Sequence, residues 1–170
     1  LIDINKNFND VVSYHDENEN KIYFTRTNIA KIPNAYNVKI YKTLKIYISN
    51  IDSNLNLTTP VSFPYNSDFY SCWNPIVSKD GEILYFVSDM PGGFGGADIY
   101  RCMKLEEDGT WGSPINLGKN VNTTGDELYP YISPYGTTLY FSSTGQSIFG
   151  GMDINKSDKT RFHEFLPSIN

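Results

Sequence analysis

Short apolar runs broken by polar turns recur along this chain. The clearest is Ile83-Leu-Tyr-Phe-Val87, apolar at five successive positions. A strand with one wet face alternates apolar and polar residues, so an unbroken run predicts a strand covered on both faces. Around it the pattern predicts four short strands: Ser71–Val77, Glu82–Ser88, Asp98–Met103 and Trp111–Leu117. Ser78-Lys-Asp-Gly81 joins the first two, and Asp-Gly between apolar runs marks a tight hairpin. Glu106-Glu-Asp-Gly109 makes a polar turn before the fourth.

The pattern is repeated. Asn74-Pro-Ile-Val-Ser-Lys-Asp-Gly-Glu-Ile-Leu-Tyr-Phe-Val-Ser88 answers Tyr129-Pro-Tyr-Ile-Ser-Pro-Tyr-Gly-Thr-Thr-Leu-Tyr-Phe-Ser-Ser143. Pro75 and Pro130, Gly81 and Gly136, and Tyr85 and Tyr140 all stand 55 residues apart. Gly95-Gly-Ala-Asp-Ile99 matches Gly150-Gly-Met-Asp-Ile154 at the same offset. Many identities at one offset are the mark of a structural repeat. A more divergent copy lies upstream, where Lys21-Ile-Tyr-Phe-Thr25 aligns with Ile83–Val87 at an offset of 62. It carries about nine extra residues between its second and third strands, because Tyr23 to Tyr47 spans 24 residues and Tyr85 to Tyr100 spans 15. The units run over residues 9–63, 70–118 and 126–170.

The pattern P-x-[IV]-S-x-x-G-x-x-L-Y-F-x-S, then G-G-x-D-I, then W-G-x-P-x-N-L-G, resembles the WD-like β-propeller repeat. That family includes the propeller of TolB and those of OmpA-family envelope proteins of Bacteroidota, among them a component of the type IX secretion system. The resemblance implies an all-β fold of about three four-stranded antiparallel blades. It also implies a periplasmic or outer-membrane-associated setting and a binding or scaffolding role toward protein partners or a peptidoglycan-associated complex. Propellers close with four to eight blades. Three units therefore predict either part of a larger propeller, the favoured reading, or a ring completed by a second copy.

Composition narrows the partners. Charged residues make up 19 % of the 170 and the net charge is −5, with no cluster of Lys and Arg, which excludes a nucleic-acid backbone. No apolar run approaches the roughly 20 residues of a membrane-spanning helix. No signal peptide is visible at Leu1–Asp10. Cys72 and Cys102 fall on strands separated by a third, which sets the sulfurs roughly 10 Å apart, too far for a disulfide.

Strand alternation places the Thr27–Lys42, Asp89–Gly96 and Thr144–Gly151 connections on one face, together with the linkers between units. Long connections bearing aromatics predict the binding face there, with Ile32, Tyr36, Tyr41, Phe94 and Phe149 as contact residues. Pro91-Gly-Gly-Phe-Gly-Gly96 lacks the Lys-Ser/Thr and the helix of a phosphate loop. Its glycines, Gly96 and Gly151 among them, are read as turn formers. Asp98 and Asp153 recur at the repeat offset and are expected to accept hydrogen bonds from backbone N–H groups of those loops. Phe86 and Phe141 are expected in the packed core. Asp126 and Glu127 are adjacent and point to opposite sides in an extended chain, so they predict a solvated loop and no carboxylate pair. Neither His15 nor His163 has a Cys or His at ligand spacing, so no metal and no cofactor is expected.

The leading reading is a non-catalytic binding propeller. A peptidase's substrate-gating propeller and a carbohydrate-binding propeller are the alternatives. The first of these needs a separate hydrolase domain with its own Ser-His-Asp set.

Overall fold

The computed structural model describes residues 10–33, 37–146, 150–160 and 164–170. These residues are all-β, with no helix among them, and form three separate antiparallel sheets. The first orders β1 (Asp10–Asp16), β2 (Lys21–Pro33), β3 (Val38–Asn50) and β4 (Val61–Ser62). The second orders β5 (Cys72–Val77), β6 (Ile83–Ser88), β7 (Asp98–Met103) and β8 (Ile115–Asn116). The third orders β9 (Glu127–Ile132), β10 (Thr138–Ser143) and β11 (Asp153–Asp158). Gly81 and Gly136 turn the β5–β6 and β9–β10 hairpins at φ of 80° and 68°, a region closed to most side chains.

The sheets pack in chain order. β5 lies against β1, β2 and β3, and β9 lies against β5, β6 and β7. Two cores result. The first gathers Tyr23, Ile46 and Phe63 against Leu84, Phe86, Tyr100 and Cys102. The second gathers Ile83, Tyr85, Val87 and Ile99 against Ile132, Leu139 and Phe141. All six residues of β6 are buried, so alternate side chains of one strand serve opposite cores. Phe86 and Phe141 are both buried, one in each core.

Three expectations change. The extra residues of the first unit are not a loop: β2 and β3 pair without interruption from Lys21↔Asn50 to Pro33↔Val38, a ribbon of two 13-residue strands. The third sheet has three strands. Its tail follows β11 through two isolated bridges, Lys159↔Phe165 and Lys156↔Ile169. Tyr140 matches Tyr85 in register but not in burial, 40 % exposed against 0 %, because among the described residues no sheet lies over it.

Candidate functional site

The β2–β3 ribbon is fastened at its base by the linker leading into β5. Asn28 Nδ2 donates to Asp68 Oδ1 at 3.1 Å and Lys45 Nζ to the same oxygen at 2.6 Å. The Lys45 ammonium holds the Asp68 carboxyl below the usual range. Thr43 Oγ1 donates to Ser67 O, and the Leu44 N–H donates to Ser71 Oγ at 3.1 Å. Tyr41 is half-buried, its ring edge-on to Phe69 with centroids 5.3 Å apart and Lys39 Nζ 4.7 Å from its face.

Beyond this base the ribbon carries apolar surface in water. Ile29, Val38 and Ile40 are each more than half exposed, while Ile32 is half-buried. Directly paired residues share a face, so Ile29 with Lys42, Lys31 with Ile40, and Pro33 with Val38 make one stripe of apolar groups and lysines. Tyr36 and Phe149 lie outside the described residues.

The Gly-rich segment does a different job. Asp98 is buried, and its carboxylate accepts the N–H of Phe94, the N–H of Gly95 at 3.2 Å and the Asn116 side-chain amide at 2.9 Å. A Cβ on Gly93 would come within 2.2 Å of Asp98 Oδ2, and one on Gly96 within 2.3 Å of Asp126 Oδ1. The glycines thus let the loop close around two carboxylates. Phe94 stands half exposed at its tip. Asp153, the repeat partner of Asp98, has its Oδ2 buried and without a hydrogen bond among the described residues. Gly151 adopts a φ of 90°.

The Asp126–Glu127 pair is not a solvated loop. Asp126 Oδ1 accepts the Ala97 N–H at 2.9 Å, and Glu127 is fully buried. Glu127 accepts the Thr123 N–H at 2.8 Å, the Thr123 hydroxyl at 2.6 Å and the Ser143 hydroxyl at 2.7 Å. The two carboxylates face different partners. Cys72 and Cys102 are free thiols in the first core, and burial pushes each up to about 12. Among the described residues no three His, Cys, Asp or Glu side chains converge as metal ligands.

Sequence reasoning passed over one feature of the opposite face. Tyr14, Ile76 and Tyr131 hold the same place in β1, β5 and β9, paired with Tyr23, Tyr85 and Tyr140. Together with His15 and Lys79 they line a cleft of about 300 Å³ that crosses all three sheets. Each first strand carries a bulge just before this residue. Asn74 and Tyr129 sit in the bulges at φ of 48° and 54°. The signal available in sequence was the recurrence of an apolar residue nine before each strand-b tyrosine, at Tyr14, Ile76 and Tyr131.

No family model matches the chain, and no curated protein matches it either.

Proposed function

We propose that this chain is a non-catalytic binding or scaffold module of β-propeller type in a bacterial cell envelope, with the β2–β3 ribbon as its partner-contact element. The observation that carries this reading is the ribbon. It is fixed at its base by Asp68, Ser71 and Phe69, yet it holds Ile29, Val38 and Ile40 in solvent. An apolar stripe on a rigid support meets a protein partner without an ordering penalty. The repeat and its resemblance to WD-like, TolB-type units support the propeller assignment and the periplasmic or outer-membrane setting. The partner is a protein or a peptidoglycan-associated complex. Among the described residues no helix is long and apolar enough to cross a membrane.

The test replaces residues 29–40 with a short Gly-rich turn. A shortened chain that stays folded and loses its partner in a pull-down from an envelope fraction supports the reading. A folded chain that keeps its partner overturns it.

A second reading has one observation in its favour. The cleft lined by Tyr14 and Tyr131 offers aromatic faces beside polar groups, the arrangement that takes a sugar ring. A glycan array on the chain, with Tyr131→Ala as control, tests it.

A further inference from the structure

Successive sheets are joined by the same two contacts. In the first contact, the tyrosine of strand β2 or β6 receives the edge of an aromatic ring from the following unit. Trp111 lies 6.3 Å from Tyr23 at 63°, and Phe165 lies 6.3 Å from Tyr85 at 71°. Trp111 and Phe165 are equivalent, since each bridges to the segment after the unit's third strand, at Lys104 and Lys159. In the second contact, an asparagine of the outgoing linker clasps the backbone of an isoleucine on the third strand. Asn66 accepts from Ile46 N at 2.9 Å and donates to Ile46 O at 2.7 Å. Asn122 does the same to Ile99 at 2.8 and 3.0 Å.

The third sheet offers both receiving positions, and no described residue fills either. Tyr140 is 40 % exposed where Tyr23 and Tyr85 are at 2 % and 0 %. Ile154 is 72 % exposed where Ile46 and Ile99 are at 0 %. Tyr131 stands beside Tyr140 on the same face, centroids 6.3 Å apart.

We propose that this face is an interface with the first sheet of a second copy of the chain, packed as the third sheet packs on the second. The first unit holds the counterpart of the ring position. Leu57 bridges to Ile51 as Trp111 does to Lys104 and Phe165 to Lys159, and each stands four residues before the pairing position that follows, Val61, Ile115 and Ile169. The matching face of the first sheet carries a paired charge. Arg26 lies over the rings of Phe24 and Tyr47, 5.2 and 5.0 Å from their centroids, and binds Asp10 through two hydrogen bonds. Covering it therefore buries no unpaired charge. The contact is heterologous, third sheet to first, so two copies close on each other through two such junctions. The inference rests on the repeated contacts and is independent of the ribbon's role.

Sedimentation equilibrium of the chain tests it. The expected result is a dimer that Tyr140→Arg and Ile154→Asp each convert to monomer, with circular dichroism unchanged and the denaturation midpoint lowered to a value that no longer depends on protein concentration. A Leu57→Cys/Tyr140→Cys variant, oxidised, is expected to give a covalent dimer whose peptides map to a 57–140 bond. A wild-type chain that stays monomeric from micromolar to millimolar concentration overturns the proposal. Cross-linking only between two copies of position 140 also overturns it, because that means two third sheets face each other.

Discussion

Glu127 and Ser143 meet in the interior: the Ser143 hydroxyl donates to Glu127 Oε1 at 2.7 Å, and neither residue has exposed surface. The same register position pairs Asp10 with Arg26 in the first sheet and Cys72 with Ser88 in the second. Three solutions to one place in the fold show that the place needs a closed contact and not a given chemistry.

Glu127→Leu strands the Thr123 N–H and the two hydroxyls that Glu127 accepts. A buried donor left unpaired costs about 1–3 kcal/mol, so the variant is expected to lose about 3 kcal/mol or more. Glu127→Gln keeps a carbonyl acceptor and is expected to lose about half of that. Guanidinium denaturation of the two variants checks both the direction and the order.

Asp98 closes the Gly-rich loop on itself. Asp98→Asn retains one acceptor and is expected to lose about 1 kcal/mol, while Asp98→Leu orphans the N–H groups of Phe94 and Gly95 and loses about 3. Gly93→Ala is expected to be at least as severe as Asp98→Asn, because its Cβ would collide with Asp98 Oδ2. Denaturation midpoints rank the three. Titration calorimetry with calcium is expected to show no binding heat for the wild-type chain, and stoichiometric calcium lost in Asp98→Asn would contradict this role for the carboxylate.

The two thiols make stability fall in alkali. Burial raises Cys72 and Cys102 from an ordinary 9.0 to about 12, and Tyr85 from 10.0 to about 12. Between those values the unfolded chain gives up protons that the folded chain keeps. Stability is therefore unaffected below pH 9 and declines from there toward pH 12. A thiol reagent at pH 8 is expected to leave both cysteines unmodified in the native chain and to label both after denaturant is added, because only the thiolate reacts. Labelling that is equally fast with and without denaturant would contradict the burial of these groups.

The repeat was legible because its identities sit where geometry leaves little choice: the turn glycines, the Gly-Gly-x-Asp-Ile segment and the apolar run of β6. The ribbon was not, although Ile29, Lys31 and Pro33 on one strand and Val38, Ile40 and Lys42 on the other share a face at a spacing of two. Thr27–Lys42 reads as a connection because it exceeds its counterparts in length, and that reading hid the longer strands. The fourth strand of the middle unit was expected over Trp111–Leu117 and is a strand only at Ile115–Asn116, since Pro114 lacks an N–H. The asparagine clasp escaped notice for a plainer reason. Asn66 and Asn122 are 56 residues apart while the isoleucines they clasp, Ile46 and Ile99, are 53 apart, so the two do not align at one offset.

Strand β6 has no side chain to spare, since Leu84 and Phe86 belong to one core and Ile83, Tyr85 and Val87 to the other. The middle sheet therefore cannot open without exposing apolar surface on both sides at once. Its neighbours can each come away at the expense of one interface. Unfolding is accordingly unequal along the chain, with the outer sheets fraying first and the amides of β6 exchanging with solvent most slowly, so that the central strand sets the cooperativity of the whole.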